Sequence, residues 1–165
     1  MNKMLDARTG TITLIEGPTL SGKTRKMVEL LKDAIKHQVP TLFVSLELTK
    51  EQVSNQVSLD ETVLVIHNGY IEDICSKARI LKADANLKLI LIDGLTELYT
   101  KHKYCLGRSA ILSLIVQQLK KLALELDIAV IITGPANVES EMKNINELDV
   151  KIINLNSIRK HQDRF

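Results

Sequence analysis

Apolar residues recur along the chain in two rhythms. Short, nearly continuous apolar runs occupy residues 11–16, 41–46, 62–66, 87–92, 128–133 and 150–155. Runs of this kind suit strands buried on both faces of a sheet. Between them, apolar positions repeat at helical spacing. Met27, Leu30, Leu31, Ala34 and Ile35 line one face of a helix predicted over 21–37, which Val39-Pro40 ends. Ile71, Ile74, Ala78, Leu81 and Ala85 do the same over 71–85, and Leu112, Ile115, Leu119, Leu122 and Leu126 over 109–126. A shorter helix over 50–57 is announced by Thr49, with Gln52 three residues on, as a capping box. The segment 95–107, basic around Lys101, His102, Lys103 and Tyr104, reads as a loop, and 138–148 as a polar stretch with one or two helical turns. Strands alternating with helices predict an α/β fold, a mostly parallel sheet with helices on both faces. Ligands of such sheets bind beyond the carboxyl ends of the strands.

The first strand runs into Gly17-Pro18-Thr19-Leu20-Ser21-Gly22-Lys23-Thr24, followed by Arg25 and the first helix. This is the G-x-x-x-x-G-K-[ST] phosphate loop in its strand–loop–helix setting. Inward-facing amides make an anion nest, and the helix adds its positive end. Lys23 can reach the β- and γ-phosphates of a nucleoside triphosphate, and the Thr24 hydroxyl can ligate Mg²⁺. The plain alternative is a glycine-rich turn before an ordinary helix.

The fold rule places three more residues at the same edge. Asp93 ends the run 87–92 and is suited to hold Mg²⁺, or else to cap a helix. Glu47 follows the strand 41–46; it can orient and deprotonate an attacking water, or it is a solvated loop residue. Thr133 can sense the γ-phosphate or cap the turn at Gly134-Pro135, and Glu16 reads as structural.

Composition adds limits. At 165 residues the chain suits a single domain over 1–165, and aromatic content of 3% with no Trp requires an aliphatic core. A net charge of +2 does not by itself point to a nucleic acid. Cys75 and Cys105 lack metal spacing and read as free thiols of a reducing compartment. No signal peptide or apolar run of membrane-spanning length is present, so a cytoplasmic protein without a membrane partner is expected.

With these residues placed, the chain resembles the RecA-like ATPase domain of replicative hexameric helicases of the DnaB type, over about residues 5–137. Leu5-Asp6 and Thr9-Gly10 look like the lead-in to the family's first strand. Ser45-Leu46-Glu47, followed by Thr49-Lys50-Glu51-Gln52, is similar to its Ser-Leu-Glu motif. Leu89-Ile90-Leu91-Ile92-Asp93 is similar to its Walker B strand. Leu119-Lys120-Lys121-Leu122-Ala123-Leu124-Glu125-Leu126 is similar to the helix that follows. The chain departs from the family at Thr133-Gly134-Pro135-Ala136-Asn137, which lacks the Gln usually found after that strand. Residues 138–148 are acidic, with Glu139, Glu141 and Glu147, where the family places a DNA-binding loop. Arg159, Lys160 and Arg164 correspond only loosely to its basic pair.

The resemblance implies ATP and Mg²⁺ as cofactors, held by Gly17, Pro18, Thr19, Leu20, Ser21, Gly22, Lys23, Thr24 and Arg25, with Thr24 and Asp93 on the metal. It implies Glu47 as catalytic base beside Lys23. It further implies hydrolysis serving DNA replication or recombination, a homo-oligomer of hexameric type, a replication protein as partner, and single-stranded DNA at the loop 99–108, from Tyr99 to Arg108. Two other readings stay open. One is a non-hydrolysing ATP-dependent assembly module. The other is a small-molecule kinase, although no Arg-rich lid stands out.

Overall fold

In a computed structural model, residues 8–67, 69–101, 107–142 and 145–155 are described. The apolar runs form β1 (Ile12–Glu16), β2 (Thr41–Ser45), β3 (Val63–Ile66), β4 (Leu89–Asp93), β5 (Ala129–Gly134) and β6 (Val150–Asn154). They pair in the order β3-β2-β4-β5-β1-β6, and every pairing is parallel. Every residue of β1, β2, β4 and β5 is buried, whereas the outer strands β3 and β6 are only partly covered. This is why the central runs lack polar alternation.

The helices are α1 (Lys23–Lys36), α2 (Lys50–Gln56), α3 (Ile71–Ala85), α4 (Leu95–Lys101) and α5 (Arg108–Leu126). They cover both faces. Met27, Leu30, Leu31 and Ala34 of α1 and Val53 of α2 pack with Ile15, Phe43, Leu91 and Ile131. On the other face, Ile74 and Ala78 of α3 and Leu112, Ile115, Leu119 and Leu122 of α5 pack with Leu14, Leu42, Ile90 and Ile132. Alternate residues of each central strand feed opposite cores. Among the described residues Phe43 is the one aromatic buried in these cores, as the composition requires.

Several boundaries differ from expectation for local reasons. α1 begins at Lys23 rather than near residue 21, because Gly22 takes a left-handed conformation (φ 93°) as its N-cap. Leu126 is only partly buried and Ala85 is exposed in the last turn of α3. The expected loop 95–107 instead opens as helix α4. Leu95 and Leu98 are fully buried there, and Leu98 N–H donates to the Gly94 carbonyl at 3.2 Å. Their i, i+3 spacing is a helical signal that the basic cluster after it obscured. Residues 102–106, Cys105 and the tail from 156 lie outside the described residues. Two 3₁₀ turns, Val138–Glu141 and Ile145–Leu148, lie in the polar stretch before β6.

No helix among the described residues is long and apolar enough to cross a membrane. Cys75 is a buried free thiol, and burial raises its pKa.

The capping box of α2 forms as expected. Gln52 N–H donates to Thr49 Oγ1 at 3.2 Å, and Thr49 N–H donates to Gln52 Oε1 at 2.8 Å. Replacing Thr49 with Ala leaves one of these groups unmatched. We expect it to lower the unfolding free energy by about 1 kcal/mol, read by urea denaturation.

Candidate functional site

Register decides which residues meet. Ser45 of β2 lies opposite Asp93 of β4, and Ile15 and Glu16 of β1 lie opposite Thr133 and Gly134 of β5. β4 and β5 are neighbours, so Asp93 and Thr133 are adjacent at the same sheet end. The carboxyl ends of four strands therefore present Gly17, Glu47, Asp93 and Thr133 to one edge.

The loop leaving β1 turns through Leu20, whose φ of 65° is left-handed and whose side chain is 82% exposed. No side chain caps α1, and its first turn holds no acidic residue. The amides of that turn are thus left without a side-chain acceptor, next to the positive end of the helix dipole. Thr19, Leu20, Ser21, Gly22, Lys23, Thr24, Arg25 and Glu47 line a cleft of about 400 Å³. Lys23 arches back across the loop, and its ammonium donates to the Gly17 carbonyl at 2.6 Å. Arg25 is exposed and pairs with Glu29 at 3.7 Å.

Beyond Lys23 the edge is acidic. Thr24 Oγ1 donates to Glu47 Oε2 at 2.9 Å. A hydroxyl that gives its proton to a carboxylate keeps its lone pairs for a cation. Asp93 is 0% exposed; its Oδ1 accepts from Thr133 Oγ1 at 2.8 Å, and its Oδ2 is buried with no partner. Burial pushes the Asp93 carboxyl up and the Glu47 charge adds to this, while the hydroxyls of Thr133 and Thr24 and the charge of Lys23 pull it back. Thr133 thus gives its hydroxyl proton to Asp93. Glu16 is buried and accepts from Glu139 N–H at 3.4 Å, tying the first 3₁₀ turn to the end of β1.

One acid at this edge escaped the sequence reading. Glu97, in the first turn of α4, shares a small cleft with Lys23, Glu47, Thr133, Gly134 and Pro135. Its Oε2 is buried without a hydrogen-bond partner. Burial raises its pKa, the charges of Glu47 and Asp93 and a direct contact with the Glu47 carboxyl raise it further, and its own amide pulls it back. The signal was present: Leu95 and Leu98 specify a helical turn directly after Asp93, and that turn folds Glu97 back over the strand end.

Among the described residues, no set of three or more His, Cys, Asp or Glu is arranged to enclose a metal ion. The edge could hold a cation that takes few ligands from protein and the rest from water, as Mg²⁺ does. The Thr24 hydroxyl and the orphaned Asp93 Oδ2 fit that role. Taken together, the edge offers open amides, the Lys23 ammonium, the Thr24 hydroxyl and the carboxylates of Glu47, Asp93 and Glu97.

Residues 58–147, more than half of the chain, match the family model described as DnaB-like helicase C terminal domain. Among solved structures, the chain is similar to a DnaB-like replicative helicase described with its interactions with primase. The TM-score is 0.71 and the identity 18%, and the match covers 88% of this chain and 47% of that one. The chain thus spans about half the length of that protein, and the likeness establishes a shared fold. No curated protein sequence matches.

The raised pKa of Asp93 carries a sign for stability. The folded chain holds this proton more tightly than the unfolded chain does. The group therefore favours folding most below the ordinary aspartate value of 3.8, and that advantage is lost as pH rises through the folded value. Asp93→Asn keeps an acceptor for Thr133 and removes the buried charge. In the presence of a chelator and without nucleotide, we expect the variant to melt above the wild type at pH 8. The gap should close as pH falls toward 3.8. Thermal melts followed by circular dichroism read this, and a lower melting point at pH 8 would contradict it.

Proposed function

Because the chain belongs to the DnaB-like helicase C-terminal domain family, with a RecA-like sheet, we propose that it binds Mg·ATP at Gly17–Thr24 and hydrolyses it. We read residues 1–165 as one such domain, cytoplasmic and acting in DNA replication or recombination. The observation that carries the reading is the convergence of Lys23, Thr24, Glu47 and Asp93 on one edge, with Thr24 and Glu47 joined at 2.9 Å.

Each residue has work that its position supports. The amides of the loop and of the first turn of α1 receive the phosphates. Lys23 exchanges the Gly17 carbonyl for phosphate oxygen, a stronger acceptor because it is charged. Thr24 and Asp93 hold Mg²⁺, which when bound neutralises phosphate charge. Glu47 is exposed at the mouth of the cleft, orients a water and takes its proton.

The family's oligomers make a homo-oligomeric ring part of the proposal, with each ATP completed by a neighbour. Turnover by an isolated chain should then be slow, since a neighbour's Arg is worth about 10³-fold or more in related systems. A replication protein remains the proposed partner class. The proposed DNA loop 99–108 now begins as helix α4, and residues 102–106 lie outside the described residues.

One observation favours a second reading, an ATP-dependent assembly module with weak DNA coupling. Arg108, a basic residue of that loop, is held by Glu141 through Nε at 3.1 Å and Nη2 at 3.3 Å. Its guanidinium also stacks 5.1 Å from the Tyr99 ring centroid. The acidic stretch thus neutralises a charge that would otherwise face a phosphate backbone.

Two substitutions test the site, and a third measurement separates the readings. Lys23→Ala should weaken ATP binding by about tenfold or more. Glu47→Gln should preserve binding and cut kcat by about 10²–10⁴. Unchanged binding in the first variant removes the site, and unchanged turnover in the second removes the base. Hydrolysis measured at low salt with and without single-stranded DNA then tests coupling. A severalfold rise supports the motor, and a rate that is low and indifferent to DNA supports the assembly module.

A further inference from the structure

Glu97 is more than another surface acid. Gly94 ends β4 with φ 131°, a left-handed conformation that favours glycine. A Cβ at position 94 would overlap Glu97 Oε2 and lie 3.0 Å from its Cδ. The carboxylate therefore occupies the space that any other side chain at position 94 would need. The positive end of α4 favours an acid in this turn, and the residue's own amide meets part of its demand. That accounts for an acid being tolerated, and the carboxyl also meets that of Glu47, but the Oε2 atom is left buried and unmatched. An unmatched buried oxygen is costly, and a carboxylate with a purely structural task would be expected to find a donor.

The cleft that Glu97 shares with Glu47 and Lys23 has a volume of about 10 Å³. That is about the room needed by one water molecule, which also requires two or more polar partners. Glu47 and Glu97 both line it, and neither is part of a metal-enclosing set among the described residues. The fully buried Asp93, with Oδ2 likewise unmatched, stands at the end of the same strand. A cation and a water are thus asked for side by side.

We propose that Glu97 is a second catalytic carboxylate of this site, accepting a hydrogen bond from the attacking water while Glu47 takes the water's proton. This rests on the hydrolysis reading above. In the step, the water oxygen bonds to the γ-phosphorus. The bond from that phosphorus to the β–γ bridging oxygen breaks, and its electron pair stays on ADP. One water proton passes to Glu47. The other remains on the inorganic phosphate, still facing Glu97. With two acceptors, the water's lone pair is aimed; with Glu47 alone it can rotate.

The test uses the full chain with Glu97→Gln, which preserves shape and removes charge. Steady-state hydrolysis of Mg·ATP, ATP binding and thermal melting are measured together. We expect kcat to fall about tenfold or more, with KM and ATP affinity within about twofold of wild type. The melting temperature should be equal or higher, because a partly buried charge beside Glu47 and Asp93 is gone. A kcat within about twofold of wild type would overturn the proposal while leaving the hydrolase intact. So would a loss of turnover accompanied by a lower melting temperature, which marks a structural residue, or a change in KM alone, which marks a binding one. A wild type that binds ATP without turning it over overturns the hydrolase reading, and this one with it.

Discussion

Parallel pairing governs the molecule. Each crossover must return the chain to the same end of the sheet before the next strand can begin, so every strand points its carboxyl end the same way. In this chain that rule is met without exception, in the order β3-β2-β4-β5-β1-β6. The central strands are held on both faces by aliphatic side chains, and a slip of one residue would send each set to the wrong core. The register is therefore rigidly specified. Ser45 beside Asp93 and Ile15 beside Thr133 are its consequences.

Concentrating the strand ends concentrates charge. Asp93 and Glu97 both have their pKa values raised first by burial, and Glu47 acts on each. Such an arrangement works against folding, since desolvated like charges repel. Three local devices soften it: the Thr133 hydroxyl on Asp93, the Thr24 hydroxyl on Glu47, and the first turn of α4 behind Glu97. Two carboxylate oxygens nevertheless stay unmatched. Unmet demand and shifted pKa values of this kind cluster at functional sites.

Much of this was legible in the chain because its signals are local. The capping box of α2 needs only Thr49 and Gln52, and it forms as read. α3 spans the residues its spacing implied. The phosphate-loop motif carries its own strand, turn and helix, so Lys23 and Thr24 could be placed without any tertiary information. The opening of the segment 95–107 was misread because the basic cluster after it outweighed Leu95 and Leu98, whose partners lie across the core. Glu97 was missed with it: a charged residue within a supposed loop carries no sign of where it points.

The sequence by itself determined the period of the six strands and of α1, α2, α3 and α5, the G-x-x-x-x-G-K-T motif between β1 and α1, and the presence of acids after two buried runs. These depend on neighbours within one or two turns, where steric and hydrogen-bonding rules act directly. Only the tertiary structure decided that Thr133 serves Asp93, that Arg108 answers to Glu141, and that Gly94 makes room for Glu97. Thr133 and Asp93 are 40 residues apart, and Arg108 and Glu141 are 33 apart. Such contacts exist because the sheet register and helix packing close those distances, and no local pattern encodes them.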